Sequence, residues 1–449
     1  MKFYQLVFFS LATTFLTVNA AKAQESLSLS DAIQRGLENN FDIKLEKLTV
    51  DVNRRNNNWG EAGRYPSINL QVNQQNNRRN IENEASFLQG AIISNNINPQ
   101  VNLNWTIFDG FRANITKSRL EKLQAESEGN AAIVVQNTMQ AIILGYYQAV
   151  YQRENIQVIR NSLNVSQDRY RYILLKKELG SAVTTEVLLE EGTYLTDSLN
   201  YLNQQVVYRN AIRNLNVLLA EENTNKDYIF TDSLAYELNT YEFSDLVEKL
   251  KGNNANLRKE YISQAIIKDN IGIAKADRYP SLALSSTYSY DQARQDLSGS
   301  SFANDPSRDL ISNAITNTAS INFTVSFNLY NGGRVNRAIE NAMVQYDISN
   351  LRVEQFSQSL LRDLSSEYDL YTNRLSLKGI AERRKEAAEL NMTLSFERYK
   401  TGSISSFDYR TVQINYLQAA LQDLQATLDL IESNTALMRL TGSIVEVAE

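Results

Sequence analysis

The chain has 449 residues, 43% of them hydrophobic, with Lys+Arg 45 against Asp+Glu 51 for a formal net charge of -6, and it contains no Cys and no His. That composition excludes disulfide frameworks, Cys/His zinc sites, thiol nucleophiles and every His-dependent triad. The length exceeds one ordinary core, the apolar content is not that of a disordered chain, and the acidic balance argues against nucleic acid, whose phosphates call for a basic surface.

Met1 to Ala23 reads as an export signal peptide. Lys2 is followed by an apolar run through Leu6, Val7, Phe8, Phe9, Leu11, Phe15, Leu16 and Val18, then by the small-x-small triplet Ala21-Lys22-Ala23. Cleavage there starts the mature chain at Gln24, and losing Lys2 and Lys22 takes the formal charge from -6 to -8. Thr13, Thr14, Thr17 and Asn19 make the stretch a poor anchor. No later segment offers the roughly 20 apolar residues of a spanning helix, so any membrane insertion has to use strands.

The remainder repeats itself once. Asn39-Asn40 followed by Arg64-Tyr65-Pro66 recurs as Asn253-Asn254 followed by Arg278-Tyr279-Pro280, and Phe108-Asp109-Gly110-Phe111-Arg112 recurs as Tyr330-Asn331-Gly332-Gly333-Arg334. The expected division is a first repeat over 24–220, a linker over 221–243 rich in Asn, Asp and Glu, and a second repeat over 244–449.

In chain order each repeat begins with a helix, near Ser30 to Asn58 and Ser244 to Asp277, opening on Ser30-Asp31 and Ser244-Asp245. Two strands follow. Ile68, Leu70 and Val72, then Val101, Leu103, Trp105 and Ile107, alternate with polar residues; so do Leu282, Leu284, Tyr288 and Tyr290, then Ile321, Phe323, Val325, Phe327 and Leu329. The polar stretches Asn73 to Asn98 and Asp291 to Thr318 read as long surface loops.

Beyond Gly110, and beyond Gly332 and Gly333, the period becomes helical. Val135, Met139, Ile142, Tyr146 and Ala149 step by three and four, as do Phe356, Leu360, Leu364, Tyr368, Tyr371 and Leu375. No proline interrupts these portions, so the first helix runs from Phe111 to Leu179, roughly 100 Å at 1.5 Å per residue. Return helices are marked by Leu188, Leu195 and Leu202, and by Leu417, Leu421, Leu424, Leu428 and Ile431, the latter stepping like a coiled-coil seam.

The fold class is thus mixed α/β, four strands per chain with long antiparallel helical hairpins. Periodicity alone leaves two readings of the strands: a soluble sheet capping a bundle, or a lipid-facing barrel wall whose polar face looks into water. Export and the lack of spanning helices favour the wall. Four strands cannot close, and an open edge in hydrocarbon leaves backbone groups unpaired at several kcal/mol each, so several copies have to share one barrel.

These residues resemble the TolC-like outer-membrane efflux proteins. The match lies in the Tyr-Pro entry to each first strand, the strand endings Trp105 to Gly110 and Phe327 to Gly333, and the paired hairpins with a glycine near each tip. The resemblance implies a homotrimer with a twelve-strand barrel in the outer membrane of a Gram-negative bacterium, its lipid a direct neighbour, continued by a periplasmic helical tunnel. It implies docking to a periplasmic adaptor (membrane fusion) protein and an inner-membrane pump, and a passive conduit rather than an enzyme. No cofactor, metal or nucleic acid is expected.

It further implies that the hairpin tips, around Gly180 and Ser181 and around Gly402 and Ser403, meet the adaptor. Glu186 and Asp408, equally spaced after the glycines, would line a gate together with Tyr399. The other reading is that these acids are solvated helix-start residues favoured by the dipole. Arg171-Tyr172 lies further before Gly180 than Arg398-Tyr399 lies before Gly402, so the first tip is expected to carry about one extra turn. Ile404 stands where some family members have a basic gate residue. The rivals are the same fold serving type I protein secretion and a non-transporting periplasmic coiled-coil scaffold.

Overall fold

A computed structural model describes residues 25–448 apart from 84, 86–87, 236–239 and 302–309. The expected signal peptide lies outside the described residues. The chain runs β1 (Glu25–Leu27), α1 (Leu29–Asn39), α2 (Phe41–Asn56), β2 (Ser67–Ile81), β3 (Gly90–Asp109), α3 (Arg112–Glu178) and α4 (Thr184–Leu218). It continues through β4 (Tyr228–Phe230), α5 (Phe243–Asn253), α6 (Ala255–Ala276), β5 (Ser281–Ser300), β6 (Ile311–Ser326), α7 (Arg334–Lys400) and α8 (Ser406–Thr441), ending in a 3-10 turn.

Each half therefore has two short helices, two strands and a long hairpin. The expected single leading helices are pairs, because one asparagine turns each corner. Asn40 ends α1 and caps α2, its Oδ1 accepting from Asp42 N (2.9 Å) while its Nδ2 donates to Leu218 O (3.0 Å). Asn254 does the same between α5 and α6, accepting from Leu257 N (2.9 Å) and donating to Leu440 O (2.8 Å). The helix starts also differ from expectation. Ser28, not Ser30, caps α1 through a capping box with Asp31, and Glu242 precedes α5 without a side-chain cap.

β2, β3, β5 and β6 form one antiparallel sheet in that order. Most of what the sequence marked as loop is strand: β2 extends to Ile81 and β3 begins at Gly90, while β5 extends to Ser300 and β6 begins at Ile311. One face carries Leu70, Val101, Tyr288 and Phe323, all exposed; the other carries amides and hydroxyls and is the more sheltered in the middle strands, with Ser289 buried. A sheet that shows its apolar face and shelters its polar one is inverted relative to a soluble protein. The outer edges of β2 and β6 pair with no strand among the described residues.

The two long helices, α3 and α7, have 67 residues each, about 100 Å. Their apolar stepping buries what it announced. Met139, Ile142, Tyr146 and Ala149 join Leu27, Ile33, Ile212, Leu215 and Phe230 in one core, and Leu360, Leu364 and Tyr371 join Leu246, Leu250, Leu430 and Leu437 in another. Within the expected linker, β4 pairs in parallel with β1 and helps close the first core. No helix among the described residues is long and apolar enough to cross a membrane.

Candidate functional site

The sheet passes into the hairpins through paired left-handed residues. Gly110 (φ 69°) precedes Phe111 (φ 70°), and Gly332 (φ 66°) precedes Gly333 (φ 75°). Gly110 has no substitute, since a Cβ there would lie 2.3 Å from Ala276 O. Phe111 tolerates the same region because its ring packs edge-on against Phe108 and Tyr279, centroids 5.2 and 6.0 Å away.

At the far end the two tips are built alike. Gly180 (φ 74°) and Gly402 (φ 75°) reverse the chain. Ser181 N donates to Lys176 O (2.8 Å) and Ser403 N to Arg398 O (2.9 Å), closing both helices in the same way. α3 and α7 end two residues before their glycines, and α4 and α8 begin four residues after them. The expected extra turn at the first tip is absent; Lys176-Lys177, not Arg171-Tyr172, is the counterpart of Arg398-Tyr399. Leu179, Val183 and Phe407 leave apolar side chains exposed at the tips.

The three gate candidates do not come together. Asp408 is the third residue of α8, and its carboxylate accepts from Ser405 Oγ (2.7 Å) and Ser405 N (3.3 Å) while Ser405 Oγ accepts from Asp408 N (3.1 Å). Its charge is engaged in its own helix cap. Glu186 has the same place in α4, but Val183 ahead of it offers no cap oxygen, and Glu186 is exposed. Tyr399 joins a different cluster.

That cluster ties the first hairpin to the second. Arg169 of α3, 6% exposed, bonds the Glu190 carboxylate, donates to Ser406 Oγ (2.6 Å), and reaches Gln413 Oε1 (3.4 Å). Ser406 also donates to Glu190. The Arg169 guanidinium sits 5.5 Å from the Tyr399 ring centre and 5.3 Å from that of Tyr409, whose rings stack. Burial pushes the Tyr409 hydroxyl's pKa up and Arg169 opposes it, so the phenol stays neutral beside the cation. Further along, Arg410 holds Asp197 with two bonds (2.7 and 3.0 Å), and Ser162 Oγ donates to Asp197 (3.3 Å).

Sequence reasoning missed Arg169, Glu190, Asp197 and Arg410. The signal was there. Ser162, Ser166, Arg169 and Ile173 share one buried stripe of α3, and Val187, Glu190 and Asp197 one stripe of α4. Charges at helical stepping among buried positions demand partners on a facing helix. Among the described residues no group of acids could hold a metal ion.

Comparison with known proteins bears on the whole architecture. The chain is 22% identical over 420 residues to the outer membrane protein TolC of Vibrio cholerae serotype O1, covering 93% of this chain and 84% of that protein. Its fold resembles the Campylobacter jejuni CmeC outer membrane channel, with a TM-score of 0.73 at 14% identity, covering 92% of this chain and 85% of that one. It also resembles the outer membrane protein VceC of Vibrio cholerae, with a TM-score of 0.70 at 14% identity, covering 92% and 96% of the two chains. The profile of the family described as Outer membrane efflux protein matches residues 32–221 and 246–443, most of the chain, so this protein belongs to the outer membrane efflux protein family and resides in the outer membrane.

Proposed function

We propose that three copies of the chain form one channel-tunnel, a passive conduit for substrates delivered by a periplasmic adaptor and an inner-membrane pump. The carrying observation is the four-stranded sheet with its apolar face exposed and both edges unpaired among the described residues. Edge strands of neighbouring copies satisfy each other's backbone groups, and three sheets give twelve strands around a lumen lined by the amide-rich face. The two repeats, 24–220 and 244–449, then alternate around the tube with 221–243 joining them.

In this reading the hairpin tips are the periplasmic entrance. The surface around Gly180, Ser181, Gly402 and Ser403, with Leu179, Val183 and Phe407 beside it, is the docking site for the adaptor. Arg169 and Glu190 hold the two hairpins of a protomer together at the entrance, with Tyr399 packed on the guanidinium, while Asp408 and Glu186 supply carboxylates facing the entry path. Detergent-extracted protein is expected to weigh three chains by native mass measurement and to conduct ions in a planar bilayer. A monomer without conductance overturns the proposal.

A further inference from the structure

The helices of the two halves correspond in register, and several of their contacts show it. Asn40 and Asn254 make the same bonds, and Arg64 donates to Asn114 (3.2 Å) as Arg278 does to Asn336 (3.0 Å). One contact breaks the pattern. α6 packs between α3 of the first half and α7 of its own half, whereas its counterpart α2 packs along α3 and, among the described residues, no second long helix packs broadly on its other flank. That flank carries Phe41, Leu45, Leu48 and Val52, exposed between 56% and 66%.

The α3–α6 contact supplies the register of the missing one. Ser118 Oγ and Lys122 Nζ of α3 donate to the Asp269 carboxylate of α6 (3.4 and 2.6 Å). A Cβ on Gly129 would lie 3.7 Å from Lys259 Cβ. Moving to the counterparts, Asp269 becomes Arg55, Lys122 becomes Val344 and Ser118 becomes Glu340, so the Lys122–Asp269 ion pair itself is not repeated and the opposite charges across the contact fall instead on Arg55 and Glu340. Lys259 becomes Leu45 and Gly129 becomes Leu351, two leucines exposed at 63% and 65%. Leucines at both positions suit burial, and nothing among the described residues of the protomer buries them.

We infer that the outer flank of α2 is covered by α7 of a second copy of the chain, with Leu45 against Leu351 of the partner subunit and Arg55 paired with Glu340 of the partner subunit. The inference rests on the reading that several copies share one tube, and adds which helices meet and in what register. Around the tube, α6 fills each gap within a protomer and α2 each gap between protomers.

The natural chain has no Cys, so cysteine cross-linking is free of background. A chain carrying Leu45→Cys and Leu351→Cys, oxidised in native membranes, is expected to give covalent oligomers on denaturing gels, since the corresponding intrachain site has disulfide-compatible Cβ spacing. Gly129→Cys with Lys259→Cys should close within one chain, blocking alkylation without raising the mass. Leu45→Cys with Gln358→Cys, about two turns along α7, should stay unlinked. Arg55→Glu should lower the SDS-resistant oligomer roughly fivefold, and adding Glu340→Arg should restore it. If the native mass is three chains and the intrachain pair closes while Leu45/Leu351 does not, or if Gln358 links instead, the inference is overturned and the channel reading stands. A monomeric native mass overturns both.

Discussion

Arg169 carries the largest electrostatic load near the tips. A buried pair adds little net stability over an apolar replacement of similar size, but stranding one partner costs about 3–5 kcal/mol. Arg169→Leu leaves Glu190 buried without its cation and should therefore loosen the hairpin seam more than Arg169→Leu with Glu190→Leu. The expected readouts are a lower unfolding midpoint and a higher bilayer conductance for the single variant, both largely reversed in the double. A single variant as stable as the parent removes the cluster from the entrance mechanism. Asp408 calls for a different test, because its cap and its charge are separable. Ser405→Ala removes about 1 kcal/mol of cap while keeping the carboxylate; Asp408→Asn removes the charge. Block by a trivalent cation added from the periplasmic side should weaken with Asp408→Asn and persist with Ser405→Ala. Equal loss in both would leave Asp408 as a helix cap only.

At the scale of elements, the sequence was read best where one face is apolar. The stepping through Met139, Ile142 and Tyr146 and the alternation through Ile321, Phe323 and Val325 each mark a surface that differs from its opposite, and both elements are found there, although β6 stops at Ser326, short of the Phe327 and Leu329 that the alternation included. The outer strand halves were hidden for a physical reason. β3 has 20 residues, whereas a tilted strand crosses the hydrocarbon in about 9–11. Beyond the bilayer both faces are wet, so Gln74 to Asn80 carries no alternation to read. The corners at Asn40 and Asn254 were hidden differently, since helical residues continue on both sides of a one-residue turn. Asn254 is 1% exposed, and Asn254→Ala deletes both a cap and the donor to Leu440 O, so a loss of about 2–3 kcal/mol is expected. Glu432 of α8 gives a pH test. Burial raises its carboxyl pKa, partly offset by Arg374, so the fold favours the protonated form. Its contribution is most favourable below the ordinary value of 4.5 and is lost as pH rises through the raised value. Glu432→Gln should therefore melt above the parent at neutral pH, the difference closing in acid; a gap that persists below pH 4.5 contradicts this origin.

For the whole molecule, the register of the sheet determines what a solute meets in the lumen. The polar face runs through Asn73, Asn98, Asp291 and Thr316, which lie in one row across β2, β3, β5 and β6. Along this face the described side chains are almost all amides, hydroxyls and alanines. Asp109 at the helix junction accepts from Ala113 N (3.0 Å), which leaves Asp291 at mid-height and Arg79 towards the outer end as its other charges. Asn98 donates to the Asp291 carboxylate, orienting it without neutralising it. In the proposed trimer each would form a ring, and at low ionic strength, where the Debye length exceeds roughly 10 Å, the three carboxylates would act together. Under a salt gradient at low ionic strength, Asp291→Asn should shift the reversal potential towards anions and Arg79→Gln should shift it towards cations. Both shifts should fade near 1 M salt, where the Debye length is about 3 Å. The entrance charges lie in series with these rings, so both variants are best compared in the background with Arg169→Leu, where a loosened tip contributes least resistance. Identical reversal potentials for parent and variants would mean that the amide-lined face does not bound the conducting path, and that the sheet is curved the other way.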